Sequence, residues 1–192
     1  DECSQLAKLA NESRSVVQVS NPFYFTPAIQ WLSNNFTAPL LLDISKFSNH
    51  EDQRKTLYSM LLMLIGITGI SPKKVGVTAF ESVEKKTTFS NVRLEFGNAS
   101  VVNLNFGSQI SLDKFKIKGY SKNKFVVFNL NKEIYSFNNE TLDLSGYSVE
   151  NEFDSFVDAI QNNSHKNSRL EDYLAATILF KLINKKIVQH ID

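Results

Sequence analysis

One run of residues has the side-chain types of a metal site or an acid and base site: His50, Glu51 and Asp52. Imidazole and carboxylate groups bind metal ions and transfer protons near neutral pH. Adjacent side chains point in different directions, however, and three successive polar residues usually form a solvent-facing loop. The other two histidines, His165 and His190, stand in a polar linker and in a terminal tail. The sequence therefore predicts surface positions for these residues and no metal site.

Two further groups of side chains could contact a ligand. The aromatic cluster Phe23 to Phe25, followed by Trp31, could stack on a sugar ring or a nicotinamide. Packing at a hinge between domains is the simpler interpretation of this cluster. The acidic pair Glu171 and Asp172 stands at the start of a predicted helix, where the helix dipole favours negative charge in any case. A structural role is therefore the simpler interpretation of the acidic pair as well.

A third group consists of polar side chains that alternate with apolar ones, and its members are Arg93, Asn103, Lys116 and Lys118. Alternate residues of a strand project to the same face of a sheet. These four side chains are therefore predicted to share one polar face, which makes them the most interesting candidate surface of the chain. Simple solvation of that face is the alternative.

The segment that must position these side chains, Thr87 to Leu130, alternates apolar with polar residues at a period of two. The apolar members fall on one side, and they are Val92, Leu94, Phe96, Val102, Leu104, Phe106, Phe115 and Ile117. Strands buried on both faces would read as continuous apolar runs, so the alternation favours an antiparallel meander with one covered face. The sequence predicts an α+β fold built on a large, mainly antiparallel open sheet with helices packed on one face.

Other patterns predict the elements around this sheet. They are a helix at 2–11, a strand at 15–20, a helix that begins at Pro27 with Thr26 as its N-cap, a strand at 40–47, a buried helix at 56–65 ended by Gly66, strands at 75–80 and 133–137, and two helices after 151. In the first of the last two helices, one face should carry Phe153, Phe156, Val157 and Ile160. The second should turn Leu174, Ile178, Leu182 and Ile183 inward.

The composition excludes several classes of function. The 192 residues suffice for one domain with a substantial core, or for one domain and a remnant of another. A net charge of +1 gives no electrostatic footprint for nucleic acid. The longest apolar run, Met60 to Ile70, is about half of the ~20 residues that span a membrane, so no membrane partner is expected. Cys3 is the only cysteine, which is consistent with a reducing cytoplasm.

Four segments, in this order, resemble the glucose-fructose oxidoreductase, inositol dehydrogenase and MocA family (Gfo/Idh/MocA) of NAD(P)-dependent enzymes. They are VVQVSNPFYFTPAIQW, then TLYSMLLMLIG with Pro72, Lys73 and Val75 after it, then VRLEFGNASVVNLNFG, and finally NEFDSFVDAIQNN with RLEDYLAATILFKLI. They are similar to the family patterns V-G-F-N-R-R-F-x-P-A, H-x-x-D-x-x-x-x-L-x-G, L-x-F-x-N-G-x-x-G-x-L and F-x-x-F-x-x-A-I-x-x-G. The resemblance implies that residues 1–21 are a remnant of a Rossmann domain and that residues 22–192 are the C-terminal α/β domain.

The departures from the family concern its catalytic and cofactor-binding motifs. The G-x-G-x-x-G turn that binds the dinucleotide and the E-K-P stretch with the catalytic lysine are both absent from this chain. Phe23 and Tyr24 replace the arginine-rich turn. Alignment of the family glycine with Gly66 puts Thr56 at the histidine position and Ser59 at the aspartate position. Neither hydroxyl is a general base near neutral pH, and Tyr58 could act only in a shifted alignment.

The resemblance therefore implies the substrate-binding and oligomerisation domain of an NAD(P)-dependent oxidoreductase that acts on a sugar or polyol. The chain alone is expected to bind neither cofactor nor metal and to catalyse nothing. In the family, the open face of the sheet supports substrate binding or subunit pairing, so Arg93, Asn103, Lys116 and Lys118 are predicted to meet a ligand or a second copy. The alternative is a non-catalytic dimerisation or sugar-binding module that descends from the family.

Overall fold

The computed structural model describes residues 2–48, 52–82, 87–108, 113–162 and 169–191. The helices within these ranges are α1 (Glu2–Ser13), α2 (Pro27–Asn35), α3 (Gln53–Thr68), α4 (Glu152–Asn162) and α5 (Leu170–Ile191). The strands are β1 (Leu41–Phe47), β2 (Pro72–Ser82), β3 (Thr87–Phe96), β4 (Val101–Ser108), β5 (Lys114–Ser121), β6 (Lys124–Asn129), β7 (Ile134–Phe137) and β8 (Glu140–Thr141). The predicted α+β class is confirmed.

The strands form one sheet in the order β2-β3-β4-β1-β5-β6-β7-β8. Every neighbouring pair is antiparallel except β1 and β4, which run parallel. The prediction of a mainly antiparallel sheet is confirmed, but the meander is wrong, since β1 lies between β4 and β5. The parallel pair is possible because α3, β2 and β3 separate β1 from β4 along the chain and supply the long connection that parallel neighbours require.

The apolar side of the sheet is covered, as the alternation predicts. Val92, Leu94, Val102, Leu104 and Ile117 have no exposed surface. They belong to one core with apolar residues of three helices, namely Ala28, Ile29 and Leu32 of α2, most of α3 from Leu57 to Ile65, and Ala176, Leu179 and Ile183 of α5. We call this side of the sheet the covered face and the opposite side the open face.

Helix α3 is longer than predicted, because Gly66 does not end it. The helix continues to Thr68, and Gly69 in the left-handed conformation (φ 66°) is the C-cap. Gly66 instead allows close packing, because a Cβ atom at this position would lie 2.6 Å from Cδ2 of Tyr24. The small size of glycine at residue 66 therefore makes room for an aromatic ring from the segment before α2, which rests against α3.

Two other local predictions are wrong. Residues 15–20 form no regular strand, and their one ladder contact is an isolated bridge between Gln18 and Arg169. A single bridge is too short to count as a strand. The turn between β5 and β6 is made by Lys122, which has the left-handed conformation with φ 53°. On α5, Ile178 and Leu182 were expected inward, yet they are 69% and 43% exposed.

Candidate binding surface on the open face of the sheet

The open face brings together all four polar residues that the alternation singles out. The register pairs Arg93 with Asn103, Asn103 with Asp43, and Asp43 with Lys118, so one row of side chains crosses β3, β4, β1 and β5. Lys116 lies in the next row, opposite Ser45. Side chains directly opposite each other in neighbouring strands are within contact range, so these residues form one continuous polar surface.

An amide and carboxylate network fixes the middle of this surface. Asn91 Nδ2 donates to Asn105 Oδ1 at 2.8 Å, and Asn105 Nδ2 donates to Asp43 Oδ1 at 3.2 Å. The network joins β3, β4 and β1, and Asp43 lies opposite Lys118 in the register. Sequence reasoning did not single out Asp43, although its alternation with Leu42 and Ile44 places it on the polar side of β1.

The β3 end of the open face carries an ion-pair cluster around Glu95. Arg93 Nε donates to Glu95 Oε1 at 3.1 Å, and Lys74 Nζ lies 3.7 Å from Glu95 Oε2. The hydrogen bond from Arg93 is the main cause that lowers the pKa of Glu95 below its ordinary value, with Lys74 adding to the effect. Arg93 is therefore partly neutralised by its neighbour and is not a free anion-binding group.

The β5 end of the open face keeps its positive charge. Within the residues that the structure describes, Lys116 and Lys118 make no ion pair. Lys114 lies on the same face and places Nζ 5.9 Å from the centre of the Phe47 ring. Beside these lysines, Leu41 pairs with Tyr120, and both side chains are more than 40% exposed. The β5 end thus combines lysines that make no ion pair with a described residue and exposed apolar surface.

The positions that correspond to the family's catalytic residues lie on the other side of the sheet, on α3. Thr56 is 8% exposed, and it lines a small crevice together with Lys46, Ser48 and Gln53. Ser59 is half-buried. Tyr58 packs edge-on against Tyr173 and Phe180, and its hydroxyl lies 3.5 Å from Thr177 Oγ1. Thr56 thus borders a crevice that Lys46 also lines, and Tyr58 has one hydroxyl and two aromatic neighbours.

Lys46 is a buried cation on the covered face that sequence reasoning missed. Its side chain is 6% exposed and places Nζ 5.2 Å from the centre of the Phe115 ring. The period-two alternation of β1 contains the signal, because residue 46 is in phase with Leu42 and Ile44. A lysine among core positions indicates a role that solvation does not explain, and this residue borders the same crevice as Thr56.

The aromatic residues Phe23 and Tyr24 are not part of the open face. Phe23 packs against Phe115 with ring centres 5.1 Å apart, and Phe115 belongs to the covered face. Tyr24 is 7% exposed and lies against Gly66 of α3. Trp31 likewise contacts other aromatic rings, with its ring centre 5.3 Å from that of Phe137. The structure thus separates this cluster from Arg93, Asn103, Lys116 and Lys118 by the thickness of the sheet.

The remaining candidates have structural surroundings. Asp52 is the N-cap of α3 and accepts a hydrogen bond from the Arg54 amide at 2.9 Å, whereas His50, Glu51 and His165 lie outside the described residues. His190 is exposed in the last turn of α5. The described residues contain no group of three or more potential metal ligands. Among the described helices, none is long and apolar enough to cross a membrane.

Asp172 and Arg169 cap the N-terminus of α5. Arg169 Nη2 lies 3.2 Å from Asp172 Oδ1, and the Arg169 amide donates to Asp172 Oδ2 at 3.0 Å. The hydrogen bonds with Asp172 are the largest cause that raises the pKa of Arg169 above its ordinary value. This arrangement explains the aspartate of the acidic pair as a helix-capping residue.

Comparison with known proteins identifies the fold. No protein-family model matches the sequence, and no curated protein sequence matches it significantly. Solved structures of dehydrogenases do match, and they place the chain in a fold class: an open sheet of the Gfo/Idh/MocA type, as the sequence predicts. The predicted resemblance to that family is therefore confirmed at the level of the fold.

Three of these structures define the match. The UDP-N-acetylglucosamine 3-dehydrogenase GnnA from Acidithiobacillus ferrooxidans superposes with a TM-score of 0.83 at 15% identity, over 100% of this chain and 68% of its own. The dehydrogenase MviM from Clostridium difficile gives 0.73 at 18% identity, over 95% and 66%. Biliverdin reductase from Synechocystis, solved with biliverdin and NADP+, gives 0.68 at 11% identity, over 98% and 67%. This chain spans about two thirds of the length of each.

Proposed function

We propose that this chain is the substrate-binding and oligomerisation part of a longer NAD(P)-dependent oxidoreductase that acts on a sugar or polyol. The observation that carries the proposal is the match of the whole chain to about two thirds of a sugar-nucleotide dehydrogenase, with a TM-score of 0.83. In this proposal residues 1–21 are the end of a nucleotide-binding domain and residues 22–192 are the substrate domain. Identities of 11% to 18% support the fold, so activity and substrate rest on the experiments below.

The proposal assigns no catalysis to this chain by itself. Hydride transfer from a sugar alcohol requires a base that removes the hydroxyl proton. Thr56, Ser59 and Tyr58 offer hydroxyl groups, which need an adjacent base before they accept a proton, and Tyr58 lies against Thr177, Tyr173 and Phe180. The reacting groups would therefore come from the part of the enzyme that precedes this chain.

Restoring the upstream coding sequence tests the cofactor. We expect that sequence to encode a G-x-G-x-x-G turn and that the longer protein binds NAD or NADP with measurable heat in calorimetry, whereas the 192-residue chain does not. The absence of heat at millimolar cofactor with the longer protein would count against an oxidoreductase. Titrating both proteins with UDP-N-acetylglucosamine then tests the sugar-nucleotide class, because the chain alone should keep part of the substrate contacts.

We further propose that the open face pairs with the open face of a second copy. Three features support this proposal: the lysines Lys116 and Lys118, the neighbouring carboxylate of Asp43, and the exposed Leu41 and Tyr120. A two-fold interface must be self-complementary, and a surface that carries cations, a carboxylate and apolar groups side by side can satisfy that condition.

Charge reversal tests the pairing. Lys116→Glu together with Lys118→Glu should lower the mass measured by light scattering from that of a dimer toward that of a monomer. The matched control is Lys122→Glu with Lys132→Glu, which changes the charge equally on exposed turns outside the open face. An equal mass for all three proteins would remove the open face as an interface.

A non-catalytic module that descends from the family is the second candidate function. Thr56 and Ser59 at the positions of the family histidine and aspartate favour it, because such a module needs no proton acceptor there. The intact mass of the native gene product separates the two candidates. A mass near 21.8 kDa favours the module, and a mass larger by about half favours the oxidoreductase.

A further inference from the structure

Helix α5 carries an apolar stripe that the rest of the described structure leaves uncovered. Its inner side packs Ala176, Leu179 and Ile183 into the core. On another side, Ile178 is 69% exposed, Leu182 is 43% exposed, and Leu174 is half-buried. The three side chains are four residues apart, so they follow one another along the helix surface. We call Leu174, Ile178 and Leu182 the α5 stripe.

The α5 stripe borders an apolar groove beside the edge strand β2. The groove has a volume of about 560 Å³, and its apolar lining consists of Pro72, Val75, Leu174, Ala175, Ile178, Leu179 and Leu182. Lys186 donates from Nζ to the Val75 carbonyl at 2.9 Å and thereby occupies a hydrogen-bonding group on β2. Because that edge carbonyl already has a partner, a helix fits this groove better than an added strand does.

The sequence of α5 is symmetric about Ile178 in a way that suits two antiparallel copies. Leu174 and Leu182 stand four residues before and after Ile178, and Glu171 and Lys185 stand seven residues before and after it. Positions seven apart fall on nearly the same side of a helix, with a drift of about 20°. In an antiparallel pair centred on Ile178, Leu174 of one copy therefore meets Leu182 of the other.

The charges complete this symmetry. In the same arrangement Glu171 of each copy faces Lys185 of the other, about 10 Å along the helix from the centre at a rise of 1.5 Å per residue. Both side chains are exposed, and neither makes an ion pair with a residue that the structure describes. A parallel pair would set Glu171 against Glu171 and Lys185 against Lys185. The charges thus favour the antiparallel pair alone.

We propose that a second copy of this chain docks on the α5 stripe, with the two α5 helices antiparallel and Ile178 at the two-fold axis. This contact lies on the helix side of the molecule, away from the open face of the sheet. If the sheets also pair, as proposed above, each copy has two partners and the assembly is larger than a dimer. If they do not, the α5 contact alone produces a dimer.

Two single charge reversals test this arrangement. Glu171→Lys leaves only lysines at the two ends of the stripe, and Lys185→Glu leaves only glutamates, so each variant alone repels its own copy. Reversing two exposed ion pairs per dimer should weaken self-association by about tenfold. An equimolar mixture of the two variants restores both ion pairs, since each lysine of one variant faces a glutamate of the other. Sedimentation velocity over a concentration series measures all three samples.

The expected result is weaker association of each variant and recovery in the mixture, with circular dichroism showing unchanged helix content. Lys55→Glu, an equal charge change on an exposed position of α3, should associate like the original chain. Two results would overturn the proposal: a mixture that associates no better than the single variants, or single variants that associate as strongly as the original chain. Another part of a longer chain would then be the candidate to cover the α5 stripe. Lys116→Glu with Lys118→Glu tests only the open face, so the outcomes of the two proposals remain distinguishable.

Discussion

The two faces of the sheet are formed by alternate residues of the same strands, and they differ in what lies on them. On the covered face Leu104 and Ile117 have no exposed surface. Their immediate neighbours Asn103 and Lys116 face the other way and keep contact with solvent. Backbone conformation is shared by both sets, so the difference comes from the helices that cover one side.

This comparison shows what a period of two can and cannot determine. It assigns each side chain to a face, because successive strand residues project to opposite sides. It does not say what covers a face, since that depends on elements far away in the sequence. The covered face is explained by α2, α3 and α5, whereas the occupant of the open face is a proposal.

Replacement of Gly107 by alanine should have the largest effect, because this residue breaks the rule for the open face. Gly107 is in phase with Asn103 and Asn105 but is buried, and a Cβ atom there would lie 1.9 Å from the backbone carbonyl oxygen of Thr88. Backbone atoms cannot move away without loss of the pairing between β3 and β4. We expect Gly107→Ala to lower the free energy of unfolding by roughly 3 kcal/mol or more.

Urea denaturation measures this loss, and Gly146→Ala is the matched control. A Cβ atom at Gly146 would have open space around it, so the control should unfold at nearly the same urea concentration as the original chain. A Gly107→Ala protein as stable as the control would show that β3 and β4 separate more easily than their register suggests.

The pair Ile117→Ala and Lys116→Ala compares the two faces directly on one strand. Ile117 has no exposed surface, so its truncation should cost about 2–5 kcal/mol, from lost burial and the cavity that remains. Lys116 is next to it on the open face, and its truncation should change stability by less than about 0.5 kcal/mol. Denaturant midpoints at low protein concentration measure both, and similar losses would mean that the open face is covered in solution.

The sequence predicts the faces of the sheet well and the order of its strands poorly. Val92, Leu94 and Phe96 are buried as their alternation requires, because strand geometry is local. The insertion of β1 between β4 and β5 is not visible in any local pattern. It depends on long connections through α3 and β2, whose lengths allow several topologies.

The candidate sites show the same limit. The alternation places Arg93, Asn103, Lys116 and Lys118 on one face, and the register confirms that placement. The same alternation in β1 places Asp43 on the open face and Lys46 on the covered face. Neither residue was predicted as a candidate, because the local pattern does not show that β1 lies at the centre of the sheet. Helical periodicity predicted Ile178 inward, because a stripe of apolar residues does not reveal whether another element of the chain lies against it.

Gly66→Ala tests how closely the covering helix approaches its neighbours. The new methyl group would lie 2.6 Å from Cδ2 of the buried Tyr24 ring, and overpacking of this kind costs about 1–3 kcal/mol. The helix propensity of alanine offsets about 1 kcal/mol of that loss. A double-mutant cycle with Tyr24→Leu should show positive coupling, because the smaller side chain makes room for the methyl group. Additive losses would mean that Tyr24 does not restrict α3.

Glu95→Gln should have the smallest effect, and it concerns the pH dependence of the open face. The hydrogen bond from Arg93 lowers the pKa of Glu95 below the ordinary value of 4.5 in the folded chain. A carboxyl group with a lowered pKa stabilises the folded state above its unfolded pKa, and this contribution disappears as the pH falls through the folded pKa. The stability difference between the original chain and Glu95→Gln should therefore be present at neutral pH and shrink below about pH 4.5. Urea midpoints at a series of pH values measure it, with Glu81→Gln on the neighbouring strand as the control. A difference that stays constant with pH would show that the cluster of Glu95, Arg93 and Lys74 contributes through packing and not through charge.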